Sequence, residues 1–297
     1  MYFSQNFNLP FYVTKFIKFL KRTNKSEETI KGYSTDLKLF NTFIYQEYEG
    51  NILLEQLTRN DLLDYLDHLQ RERGYKLNSV SRHLSTLKSL YKFLVDEMNF
   101  KDNVAARIKH TKAYVPLPTI LEPHEVSHLL SVAKKHNYYY FILFSLIYFT
   151  GSRITPITQL EKSNVFINEK KLYFPVIKGG EDLHLPIHDE LVPTLKQFLL
   201  NHPAPLSKYV FHSPRSYIKP IDPQTVRGQL KEIVKKAKIE KRVTPHILRH
   251  CTATHLTILG VDQKYIASIL GHKDLRSTAR YQQLHVDNLR SSINRLS

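Results

Sequence analysis

Four short stretches of this 297-residue chain carry side chains of the kinds that bind or handle anions. They are Gly151-Ser152-Arg153, Ile177-Lys178-Gly179-Gly180, Thr244 through His250, and Leu270-Gly271-His272 with Tyr281 nine residues further on. Each is weak alone. With 15 histidines and as many arginines, about one His-x-x-Arg arises by chance. Three occur, at His68 and Arg71, His212 and Arg215, and His246 and Arg249, and context separates the third. Thr244-Pro245 reads as a helix start, so His246 and Arg249 project from one face of a first turn, beside backbone N–H groups that favour an anion. The other two pairs lie on a solvated helix or beside Pro214. His246, His250 and His255 invite a zinc reading, but no acidic base stands between them and their spacing leaves one helical face, so no metal is expected.

The anion can be named by class. Lysine and arginine total 43 against 27 acidic residues, a formal charge of +16 spread over the whole chain, which points to nucleic acid as a polyanionic partner. A single cysteine, Cys251, excludes a disulfide framework and fits a reducing cytosol. Met1 to Pro10 lacks the order of a secretory signal. Tyr138 to Thr150, the most apolar run, is too short to span a membrane and reads as a buried core helix. The expected location is therefore cytoplasmic, with no membrane partner.

These stretches need elements to hold them. The length favours two domains. Residues 1–106 read as helical: Ser26 caps a helix with its apolar face at Ile30, Tyr33, Leu37, Phe40 and Ile44, Thr58 with Asp61 opens a second, and Asn78 caps a third through Val80, Leu84, Leu87, Tyr91 and Leu94. Arg82, His83, Ser85, Thr86, Ser89 and Lys92 fall largely off that last stripe, which suits either a helix laid in a DNA groove or a plain solvated face. Residues 107–119 lose periodicity and gather bases, a basic linker. Residues 120–297 open at Pro123 and continue into the apolar helix ending at Gly151. Alternation at Val165 to Ile167, Leu172 to Ile177 and Leu183 to Ile187 predicts a small antiparallel sheet. Helices follow from Pro223, Thr244-Pro245, Asp262 and Ser277, with a tail at 282–297. The fold class is mainly α with a small antiparallel β-sheet.

The string from His246 through Arg249-His250 to Gly260, then Ile266 to Leu270-Gly271-His272 and on to Tyr281, resembles the catalytic core of the tyrosine recombinases, also called the phage integrase family. Thr150-Gly151-Ser152-Arg153 resembles that family's first arginine motif, and the helical first domain resembles its core-binding domain. The resemblance covers nearly the whole chain, and it implies a site-specific recombinase acting on double-stranded DNA. Its catalytic residues would be Arg153, Lys178, His246, Arg249, His272 and Tyr281. A phosphodiester under attack needs fixed cations around its non-bridging oxygens. Arg153 and Arg249 would grip those oxygens as planar forks, while His246 and His272 would add hydrogen bonds and His246 would take the nucleophile's proton. Tyr281 would attack, leaving a 3′-phosphotyrosine, and Lys178 would protonate the departing 5′-oxygen. The bond energy is stored in the adduct, so neither metal nor ATP is implied. A homotetramer would act on two sites, the tail docking through Val286, Leu289, Ile293 and Leu296 on a neighbouring protomer.

Two positions depart from the family pattern. Three residues after Arg153, where relatives usually carry a carboxylate, stands Pro156; after Lys178 come Glu181-Asp182 instead of further bases, so Lys170 or Lys171 could take the lysine's place. A type IB topoisomerase-like enzyme, or a DNA-binding regulator without catalysis, are the rival readings. Integration and excision, or resolution of cointegrates or multimers, would all use the same catalyst, and the target sequence is not legible.

Overall fold

Caps and apolar stripes account for the helices of the computed structural model, which describes residues 7–110, 120–175 and 182–271. The chain divides into two compact units, Met1–Pro116 and Leu117–Ser297. The first contains α1 (Leu9–Arg22), α2 (Glu27–Glu47), α3 (Arg59–Arg71) and α4 (Leu77–Met98). Ser26 Oγ accepts from the Thr29 N–H at 3.1 Å to start α2, and Thr58 with Asp61 forms a reciprocal capping box on α3. The residue ahead of α4 is Lys76, whose carbonyl accepts from Ser79 and Val80; Asn78, expected as the cap, lies inside the first turn. Phe16, Leu37, Phe40, Leu62, Leu87 and Leu94 are among the side chains closing this core. Ala105 and Ile108 pack into it as well, beyond the point where helical spacing stops.

One part of the polar face assigned to α4 is corrected. Arg82, Ser85 and Lys92 face outward, but His83 is 2 % exposed and Thr86 fully buried. Both close over Asp36 of α2, a carboxylate that is itself 2 % exposed. Burying a carboxylate demands donors, and the flank of an apolar stripe is where a helix can supply them.

The second unit is built round α6 (Tyr138–Thr150), which is apolar on every side and packs between α5 (Pro123–His136) and α10 (Pro245–Ile258). Strands β1 (Val165–Phe166), β2 (Lys171–Phe174) and β3 (Leu183–Pro186) form an antiparallel sheet in that order. Leu172 pairs with Leu185 on the buried face and Tyr173 with His184 on the outer one. The short α7 (Ile154–Thr158) precedes the sheet, and α8 (Leu191–Leu200), the hairpin β4 (His212–Ser213) and β5 (Ser216–Pro220), α9 (Pro223–Lys236) and α11 (Gln263–Leu270) complete the described part. The β4–β5 hairpin is not among the strands read from sequence: Tyr217 and Ile218 are exposed, so it has no buried face to produce alternation. The helix expected from Ser277 and the tail lie outside the described residues. Among the described residues no helix is long and apolar enough to cross a membrane.

Two solution properties follow from this packing. Cys251 is fully buried, its sulfur accepts from the Leu121 N–H at 3.3 Å, and burial pushes its thiol up to about 11; Ellman's reagent is expected to react with it only after unfolding. Burial also holds the imidazoles of His212 and His255 below the usual histidine range. In the unfolded chain both take up protons near pH 6.5, where the folded chain does not. Their contribution is complete above that pH and is lost as pH falls below it, so the urea midpoint is expected to drop between about pH 7.5 and 5.

Candidate active site

Gly151 ends α6 in the left-handed region, φ +59°. A Cβ there would stand 2.8 Å from Leu270 Cδ2 and 3.3 Å from Thr252 Cγ2, so both the backbone conformation and the space require glycine. Thr150 Oγ1 accepts from the Ser152 N–H at 3.2 Å, and the turn delivers Arg153 as the extended residue ahead of α7, exposed to solvent.

Thr244 Oγ1 accepts from the Ile247 N–H at 3.2 Å and Pro245 occupies the first turn of α10. From that turn His246 faces outward, while Arg249 is only 2 % exposed. Its Nη1 donates to the Gly151 carbonyl and its Nη2 to the Leu270 carbonyl, both at 2.8 Å. One guanidinium thus joins the turn two residues before Arg153 to the end of α11, two residues before His272. The planar guanidinium holds its two Nη groups in a fixed fork, which aims one donor at each carbonyl. The ring of His250 packs edge-on against that of His246, centroids 4.3 Å apart at 74°.

The rest of α10 is bolted to its surroundings. Thr252 Oγ1 donates to the Tyr148 carbonyl. His255 Nε2 meets the Leu121 carbonyl and its Nδ1 the Tyr148 hydroxyl, each at 2.9 Å, which suits a neutral ring donating at Nε2 and accepting at Nδ1. These partners had no motif to betray them, since most are backbone carbonyls; the only hint was a run of polar residues on the inward side of a helix.

Arg153, His246 and Arg249 are therefore described, on elements joined by the Arg249 bonds. Lys178, His272 and Tyr281 lie outside the described residues, as do Val286, Leu289, Ile293 and Leu296. The two alternatives to Lys178 have other partners: Lys170 pairs with Asp189 at 2.8 Å, and Lys171 pairs with Glu169 and lies over the Phe166 ring. Pro156 lies in α7 and lines a cavity of about 210 Å³ with Phe174, Tyr209 and Pro220 among its walls. Among the described residues no group of three histidine, cysteine, aspartate or glutamate side chains is gathered as for a metal ion.

Comparison with known proteins identifies the family and the fold. The family model described as the phage integrase family matches residues 119–287, and that described as the phage integrase N-terminal SAM-like domain matches residues 13–98. The chain is similar to a tyrosine recombinase of Thermosipho africanus, 32% identical over 267 residues, covering 88% of this chain and 89% of the relative. It is also similar to the tyrosine recombinase XerA of Pyrococcus furiosus, 30% identical over 282 residues, 95% of this chain and 92% of the relative. Its fold matches that of the XerH site-specific recombinase bound to a palindromic difH substrate in a post-cleavage complex, with a TM-score of 0.81 at 16% identity, over 98% of this chain and 97% of that one.

The two arginines are expected to separate in stability measurements. Arg249→Ala strands two buried carbonyls and should cost about 2–4 kcal/mol in urea unfolding. Arg153→Ala, at an exposed position, should stay within about 0.5 kcal/mol. Equal costs would contradict the tie described for Arg249.

Proposed function

Because this chain belongs to the phage integrase family, the tyrosine recombinases, we propose that it is a site-specific recombinase that cuts and rejoins double-stranded DNA through a 3′-phosphotyrosine on Tyr281. The observation that carries the reading is the Arg249 fork. Its two carbonyl bonds tie the Gly151 turn that leads into Arg153 and the Leu270 end of α11 to α10, which supports a site assembled from these elements before any substrate arrives. Such preorganisation is what stabilising a charged transition state requires.

In the reaction Arg153 and Arg249 bear on the non-bridging oxygens of the scissile phosphate. A guanidinium has five N–H donors, so Arg249 can keep both carbonyl bonds and still address an oxygen. His246, outward-facing and braced by His250, takes the phenolic proton of Tyr281 as it attacks phosphorus. His272 donates to the same phosphate, and Lys178 protonates the 5′-oxygen as the P–O bond breaks. The 5′-hydroxyl of another strand then reverses the steps, needing neither ATP nor a metal. Exchange at two sites requires four tyrosines, hence a tetramer, with the 282–297 tail docking on a neighbouring protomer. The ion pairs of Lys170 and Lys171 favour Lys178 as the acid. Pro156 favours a second reading, a DNA-binding regulator that retains the fold without catalysis.

A nicked suicide duplex separates these readings. The wild-type chain is expected to give a covalent adduct on a denaturing gel, Tyr281→Phe none, and Arg153→Ala about 10²–10³-fold slower adduct formation with site binding little changed. No adduct from wild type on its own target would favour the regulator. Relaxation of a two-site plasmid without resolution into two circles would point to topoisomerase action.

A further inference from the structure

The first unit holds a second buried charge, of opposite sign to Arg249. Asp36 of α2 is 2 % exposed, yet the arginine that meets it, Arg82 of α4, has a side chain 51 % exposed. Arg82 Nη1 donates to Asp36 Oδ1, Thr86 Oγ1 donates to Asp36 Oδ2 at 2.8 Å, and His83 Nε2 stands 3.4 Å from Oδ1. His83 Nδ1 meets the Tyr65 hydroxyl at 2.9 Å. An ion pair that served only to neutralise a core charge would bury both ends. Here the carboxylate is anchored inside by α4 residues, and the guanidinium is held out at the surface.

The surface on which it is held is distinctive. Asn78, Arg82, Ser85, Ser89 and Lys92 follow one another at steps of four and three along the outward side of α4, and no acidic residue occurs on the helix before Asp96. Short hydroxyl side chains let a helix approach a groove floor closely. Ser81 also bonds His110 Nδ1 at 2.7 Å, which brings His110 alongside α4.

We propose that Arg82 is a base-reading residue and Asp36 its positioning residue: the anchored guanidinium donates to the N7 and O6 edge of a guanine in the DNA that α4 contacts. The alternative partner, a phosphate oxygen, is disfavoured by the same pair. Asp36 cancels much of the local charge, and a phosphate contact depends on charge, whereas a base edge rewards directional donors at fixed positions. This rests on the DNA-recombinase reading above.

The test uses the full chain and a pool of randomised duplexes, with bound sequences recovered and read. Wild type should enrich a motif, and the double variant Asp36→Asn/Arg82→Gln, which balances charge, should lose the preference for one G·C pair by about 10-fold or more while other positions and the salt dependence stay unchanged. Thermal melting establishes that the variant is folded. Should it not fold, Asp36→Asn alone, which keeps Arg82 but loosens it, is expected to lose at least about threefold at the same pair. An unchanged motif in the folded variant overturns the proposal. So does a uniform loss of affinity with a salt slope lower by about one, the mark of a phosphate contact. A wild-type chain that enriches nothing overturns both this proposal and the site-specific reading beneath it, whereas an enriched motif indifferent to Arg82 removes this proposal alone.

Discussion

A buried guanidinium held by two helix ends is the constraint on which the second unit depends. The last carbonyls of a helix lack partners and carry the negative end of its dipole. Both α6 and α11 end in a glycine at positive φ, Gly151 and Gly271, which turns the chain aside and leaves a carbonyl directed at Arg249. The cation is thus held by oriented neutral carbonyls at two helix ends. A cation solvated in this manner keeps its field, which is the property an anion-handling site needs. It also explains the glycine at 151, where a methyl group would press on Leu270 and Thr252.

The first unit solves the inverse problem by different means. Asp36 is surrounded by side-chain donors from a neighbouring helix, Arg82 and Thr86, with His83 close by. Side chains specify which helices pair and in what register, because a slip of one turn would leave the carboxylate without donors. Tyr65, reaching His83 from α3, extends that dependence to a third helix. The two units therefore bury opposite charges, one bonded to backbone and one to side chains.

Much of this was legible in the residues. Pro123, Thr244-Pro245 and Asp262 mark helix starts that occur where expected, and alternation located β1, β2 and β3, because each signal expresses a local need for a cap or a buried face. What escaped was non-local or side-chain-free. His83 and Thr86 looked like outward polar residues, since nothing in α4 itself announces a carboxylate arriving from α2. The acceptors for Arg249 are main-chain oxygens, which leave no trace in composition. The β4–β5 hairpin lacks a buried side, and so lacks a pattern. His250, named in the sequence only within a motif and a set of three histidines, packs its ring on His246.

The treatment of Leu121 has a mechanical consequence. Its N–H is taken by Cys251 and its carbonyl by His255, so a single residue just ahead of α5 is stapled at both backbone groups to the helix that carries His246 and Arg249. Its side chain is fully buried in the same core, so Leu121 is fixed by both backbone groups and by packing. The start of α5 is thereby kept in register with α10 by main-chain groups, independently of the side chains that α10 turns outward.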